Sequence, residues 1–245
     1  MKDNFDENID DDLVKAIVDS MVKEARAKNQ NKEHVKKYHQ ARKLHQEIAD
    51  RMSEYFRDYN EECNKILDDG FSQMQRDVCF NFDDKMQVHL LYDFLIYPHF
   101  NTCLCEVFLK KKKVRSEKNL SMIHAMLESQ PALYQVKNLE PEEFTAELEN
   151  LMTGKRITIV DERMSIMNKP ETMGFFYLRI ITWNGISFQT GMGFPFEKSD
   201  GEIRRWIKRN KNRNRVNEQI LDLYEMYQRK QAQGTAVRAE MNYTK

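Results

Sequence analysis

Pro131 divides the chain into two hydrophobic periods. Before it, apolar residues recur three and four apart, which lines one face of a helix. After it they alternate with polar ones, which lines one face of a strand. A segment of one period sits badly in the other geometry, because its apolar side chains would be spread over both faces. The expected fold is therefore α+β. An N-terminal helical region with a long helical hairpin covers 1–130, a small antiparallel β-barrel-like domain 131–198, and a basic helical tail 199–245.

In the first region Asp10, Asp11 and Asp12 precede Leu13, Ile17 and Met21, which recur one helical turn apart with Val14 and Val18 alongside. Acids in a first turn suit the positive end of a helix dipole. After Asn29-Gln30-Asn31 a longer helix is expected from Lys32 to Leu67. Its narrow stripe of Leu44, Ile48, Met52, Tyr55, Tyr59 and Ile66, flanked by Lys, Arg, Glu and Gln, fits a helical hairpin or a coiled-coil-like arm. Asp68-Asp69-Gly70 ends it. A helix from Asp83 to Tyr97 is apolar nearly all round, stops at Pro98, and should be central to the fold. A short helix over 116–129 should turn Leu120, Ile123 and Leu127 inward.

Beyond Pro131 the strand candidates are 133–140, 144–152, 156–162, 175–183 and 186–192. Asn184-Gly185 between the last two supplies the positive φ angles of a type I′ turn. Thr153-Gly154 separates another pair. The same place holds Gly154-Lys155, the pair that ends a phosphate-cradling loop. That loop needs a glycine five positions earlier and a Ser or Thr after the lysine, followed by a helix. Glu149 and Arg156 occupy those positions, and Ile157 and Ile159 read as strand. The segment is a turn. Asp200-Gly201 closes the β-domain before the helical stretches 202–209 and 217–232.

With 39 basic and 39 acidic side chains, no global field draws the chain to nucleic acid or to a membrane. Mean hydropathy is −0.76, which describes much solvated helix surface. The longest uncharged apolar run, Phe94 to Cys105, contains Pro98, His99 and Asn101. It falls well short of the roughly twenty apolar residues of a membrane span, so no membrane contact is expected. The acidic start has no apolar signal core. The expected location is cytoplasmic, where Cys63, Cys79, Cys103 and Cys105 would be thiols.

Residues 89–196 resemble a bacterial family, common in Gram-positive organisms, found among proteins related to those ending in a SEC-C zinc motif. The likeness is carried by three stretches: the apolar helix running into 90–109, the short helix ending at 127–136, and 148–165 followed by 175–185. It implies a hairpin inside a small β-domain and assigns no active-site residue. A SEC-C tail needs Cys-x-Cys followed by a second Cys-Cys or Cys-His pair. Cys103-Leu104-Cys105 is followed by no further cysteine, so the zinc tail is absent.

Catalytic signatures are incomplete. Ser187 lies outside any Gly-x-Ser-x-Gly elbow, and Phe196 stands where a dinucleotide fingerprint starting at Gly191 would need glycine. Asp68-Asp69 and Asp83-Asp84 flank helix ends, where carboxylates cap free N–H groups. His99, Cys103 and Cys105 could converge on a metal only if the chain bends after Pro98; as small buried hydrophobes the cysteines need no metal. His34, His39 and His45 sit among Lys and Gln and read as solvated. No catalytic residue, cofactor or metal is expected.

Two basic patches remain as candidate polyanion-binding residues: Lys110, Lys111, Lys112, Lys113 and Arg115, then Arg204, Arg205, Trp206, Lys208, Arg209, Lys211, Arg213 and Arg215. Cations there would neutralise phosphates and Trp206 could stack on a base. Alternatively, Trp206, Ile203 and Ile207 pack on the β-domain, or the acidic N-terminus pairs with the tail. Ile220, Leu223, Tyr224 and Tyr227 add an amphipathic stripe for another helix. The leading expectation is a non-enzymatic adaptor or regulator with a protein partner or self-association through helices. The alternatives are a nucleic-acid-binding protein using 110–115 and 204–215, and an enzyme with an unrecognised pocket.

Overall fold

A computed structural model describes residues 11–58, 61, 65, 92–99, 103–111, 114–166, 170, 171, 173–211 and 216–232. Helices α1 (Asp11–Asn29) and α2 (Glu33–Asp58) come first, and a helical segment over 92–96 ends at Tyr97. Then come α3 (Leu104–Lys110) and α4 (Glu117–Glu128), and strands β1 (Pro131–Glu140), β2 (Thr145–Asn150) and β3 (Arg156–Val160). A short helix, α5 (Glu162–Ile166), leads to β4 (Phe175–Trp183) and β5 (Ile186–Phe196). Helices α6 (Gly201–Asn210) and α7 (Val216–Ala232) close the chain. The fold is α+β, and the sheet is open and antiparallel, in the order β3-β2-β1-β4-β5.

Both turns form where the sequence puts them. Asn184 and Gly185 have φ of 48° and 76° and join β4 to β5, the twist that a two-residue hairpin requires. At the other, the Asn150 side chain accepts the Met152 and Thr153 N–H groups, and Asn150 N–H donates to the Lys155 carbonyl at 2.8 Å. Gly154 takes φ 72° and Arg156 opens a strand. No helix starts at Lys155, so no phosphate cradle exists there. The strand after Asn184-Gly185 runs on to Phe196, past Pro195. A proline is tolerated because β5 is an edge strand.

Register breaks between Val136 and Asn138 on β1 and between Leu178 and Ile180 on β4 bend the sheet. One face carries one apolar cluster: Tyr134, Val136, Ala146, Leu148, Ile159, Phe176, Leu178 and Ile180, closed by Met164 of α5 and by Met173. The opposite face carries two. Toward one end Phe175, Tyr177, Phe194 and Phe196 pack with Phe94, Trp206 of α6 and Tyr224 of α7. Toward the other, Ile181, Trp183 and Phe188 pack with α2, α3 and α4.

Several expectations are corrected. The α2 stripe is no projecting arm, since Leu44, Ile48, Met52 and Tyr55 all lie in the core; Tyr59 and Ile66 fall outside the described residues. On α4 the buried positions are Met122, Ile123, Ala125 and Met126, while Leu120 and Leu127 are only half-buried. Leu223, Tyr224 and Tyr227 on α7 are buried against the sheet, while the Ile220 side chain lies outside the described residues. Helix α5 was not expected: the third strand was drawn to Glu162, but it ends at Val160 and Glu162 opens the helix.

Gly174 precedes β4, and a Cβ there would lie 1.9 Å from the Phe196 carbonyl oxygen, a backbone atom that cannot rotate away. We expect Gly174→Ala to push the start of β4 off β5 and to lower stability by about 1–3 kcal/mol, the usual range for overpacking. Urea unfolding should show a lower midpoint at unchanged slope.

Candidate functional site

Between the two clusters on one sheet face lies a polar group. Side chains alternate along β4, so Arg179 shares the face of Tyr177 and Ile181 and is 0% exposed. Its fork meets one carboxylate: Nε donates to Asp93 Oδ1 at 2.8 Å and Nη2 to Oδ2 at 2.9 Å. Nη1 donates to the Ser129 carbonyl at 2.8 Å. The Tyr97 ring lies against the guanidinium, 4.4 Å from its central carbon. His99 Nε2 stands 2.7 Å from Asp93 Oδ2 and 2.5 Å from Arg179 Nη2. Burial alone would raise the Asp93 carboxyl, but Arg179 and the His99 contact hold it below the usual carboxylate range.

Tyr97 extends the group to α2. Burial, reinforced by Asp93, keeps its phenol protonated. Burial and the Arg42 charge, only partly opposed by Asp93, push the His45 imidazole down to about 3. The neutral imidazole shares a hydrogen bond of 2.5 Å between its Nε2 and the Tyr97 hydroxyl, in the direction its tautomer sets. His45 is thus buried, contrary to the solvated reading of the three α2 histidines. Positions 38, 41, 45, 48, 52 and 55 share one helical face, and His45 rides on it. His34 and His39 do reach the surface, where they meet Glu143 and Glu162.

An arginine, a carboxylate and an imidazole in mutual contact are the ingredients of acid–base chemistry. Here Arg179, Asp93 and His99 have side chains 0–2% exposed, so the group ties helix to sheet and meets no solvent-borne substrate. Cys103 and Cys105 are buried free thiols; burial pushes Cys105 up, and its Sγ lies 3.9 Å from Met52 Sδ. Among the described residues no three His, Cys, Asp or Glu side chains converge as metal ligands.

A second polar group ties α1 and α2 to the far sheet edge. Asp161 caps α5 through the Met164 N–H at 2.8 Å and accepts from Gln189 of β5 at 2.5 Å. Next to it Glu162, nearly buried, pairs with Arg26 of α1 at 2.5 Å and His39 of α2 at 2.9 Å. Arg163 pairs with Asp19 of α1.

The basic patches divide. Lys110 pairs with Glu106 at 3.6 Å, Lys111 donates to the Tyr55 hydroxyl at 2.6 Å, and Arg115 is exposed. Lys112, Lys113, Arg213 and Arg215 lie outside the described residues. On α6, Arg204, Arg205, Lys208 and Arg209 are exposed, as is Lys211 beyond it. Trp206 is 3% exposed, with its indole N–H on Asp222 at 3.3 Å. Its face is turned into the core, so base stacking by Trp206 is withdrawn.

Fold and site together define an α+β protein with one open antiparallel sheet, helices clamped to it around a buried arginine, and a cationic helix at its rim. The chain belongs to the family of unknown function DUF7986, which matches residues 32–240. No curated protein and no solved structure matches it. No helix among the described residues is long and apolar enough to cross a membrane.

Proposed function

We propose that this protein is a non-enzymatic adaptor or regulator that works through helix-mediated contacts, with α1 as the contacting helix. The supporting observation is that Ile17 and Met21, one turn apart on α1, are 51% and 48% exposed, whereas the apolar faces of α2, α4 and α7 are covered. Helix α1 is tied to the body by Arg26–Glu162 and Asp19–Arg163, with Val22 buried and Ala25 packed on the core. Ile17 and Met21 stay on the outside, available to a second helix. A barrel-like curl, with edges drawn together by Asp161 and Gln189, would give α1 and α2 a rigid base. The reading places the chain in the cytoplasm, and the likeness to SEC-C-related proteins adds no zinc site to it.

The first partner to test is a second copy. Light scattering over a wide concentration range should show a species heavier than 29.3 kDa. Ile17→Glu with Met21→Glu should return it to monomer with an unchanged melting temperature, because exposed positions contribute little to folding. A strict monomer at every concentration would remove self-association and with it the main support for this reading.

A further inference from the structure

We propose that the outward face of α6 is a docking surface for the phosphate backbone of a nucleic acid, carried by Arg204, Arg205, Lys208 and Arg209. These residues fall at i, i+1, i+4 and i+5, so they form one stripe about 7 Å long at 1.5 Å per residue. The opposite side of the helix fixes that orientation: Ile203 and Trp206 are buried in the core, and Asp200 caps its start by accepting the Glu202 N–H at 2.8 Å.

What leaves the stripe a net charge is that two of the nearby acids, Asp200 and Glu202, already have cationic partners. Asp200 pairs with Lys230 at 2.5 Å, and Glu202 pairs with Arg229 at 2.9 Å. Asp222 accepts the Trp206 N–H. Arg204 donates from Nε to the Lys198 carbonyl at 2.7 Å, while Arg205, Lys208 and Arg209 have no ion-pair partner among the described residues. The positive surface continues past α6. Lys211, Lys137 and Arg156 all lie close enough to Glu149 to hold its carboxyl down, with Lys137 paired to it at 2.6 Å. Arg156 is itself paired with Glu147 at 3.2 Å, so three cations against two acids leave that flank positive by one charge.

A lipid surface suits this helix poorly. An interfacial helix inserts its apolar face between headgroups, and that face of α6 is occupied by the protein's own core. An extended phosphate polymer needs only exposed cations, and its binding releases condensed counterions. The expected affinity is therefore sequence-blind and steeply salt-dependent, with no contribution from Trp206.

Fluorescence anisotropy on the full chain with a labelled DNA oligonucleotide, single- and double-stranded, tests this. Between about 50 and 200 mM salt the plot of log affinity against log salt should fall with a slope of roughly −3 to −4 for four phosphate contacts. Arg205→Ala with Arg209→Ala should reduce that slope by about 2 and weaken binding to every sequence alike. Lys43→Ala with Arg51→Ala, the same charge change on the exposed side of α2, should leave it unaltered. The proposal is overturned by no binding at low salt, by equal binding of the α6 variant, or by binding to phosphatidylserine vesicles or polyglutamate but not to DNA. None of these outcomes bears on the α1 contact, which has its own variant and readout.

Discussion

Replacing Arg179 with methionine should cost about 3–5 kcal/mol, the range for removing one partner of a buried ion pair. Methionine fills much of the same volume, so the loss is electrostatic. Asp93 would be left fully buried with its carboxylate facing Tyr97 and His99 and no guanidinium. Ser129 would lose the donor to its carbonyl. Lysine should not rescue, because one ammonium cannot span both Asp93 oxygens as the planar fork does. Arg179→Met with Asp93→Leu should recover most of the loss, since an apolar pair of similar size needs no desolvation of charge. Urea unfolding of the two single variants and the double closes the cycle. A cost under about 1 kcal/mol for Arg179→Met would mean that water reaches the pair.

The second large effect is a loss of stability below neutral pH, and it belongs to His45. Its folded pKa is about 3 against 6.5 ordinarily. Above pH 6.5 the imidazole is neutral in both states and folding is not opposed. Below 6.5 the unfolded chain binds a proton that the folded chain refuses, so stability falls by about 1.4 kcal/mol per pH unit. The window runs from 6.5 down to about 3. Burial is the main cause of the low value, Arg42 on the same helix adds to it, Asp93 partly opposes it, and Nε2 shares a hydrogen bond with the Tyr97 hydroxyl. The depressed carboxyls of Asp93, Glu162 and Asp200 stabilise the fold above the usual carboxylate range and lose that contribution only below it. Between pH 6.5 and 5, above the range of these carboxyls, His45 contributes a drop of about 2 kcal/mol. His45→Gln keeps a group that can donate to or accept from the Tyr97 hydroxyl and should flatten the curve there. An equally steep curve in that variant would locate the proton elsewhere.

The two effects share an origin. Arg179, Asp93, His99, Tyr97 and His45 sit where the two apolar clusters on one sheet face meet, and they join α2, the 92–99 segment, the end of α4 and β4. Apolar packing alone would let those helices slide over the sheet, since dispersion contacts are individually weak and non-directional. A bidentate pair has one geometry. Such a group fixes register more than it adds stability.

The hairpin at Asn184-Gly185, the turn at Thr153-Gly154, the switch of period at Pro131 and the apolar character of 94–97 were legible because each is local. A positive φ angle or a buried face every second residue is written in a few consecutive positions. By contrast, His45 looked solvated because its immediate neighbours are polar. Its place on the face of Ala41, Ile48 and Met52 was the available signal. Arg179 had one too: a lone charge inside the apolar run Phe175 to Trp183 must be paired or exposed. Its partner, Asp93, is 86 positions away in sequence, and no local pattern connects them.

The amino-acid sequence by itself determined most of which stretches become helix or strand, α5 apart, and where the hairpins reverse, because those choices depend on residues within a turn or two of each other. Only the tertiary structure decided which amphipathic faces are covered. It buried the α7 stripe and Trp206, left Ile17 and Met21 outside, and turned the cations of α6 to solvent. Burial is a property of what arrives from distant parts of the chain, so a face that reads as ready for a partner is indistinguishable from one already filled until the helices are in place.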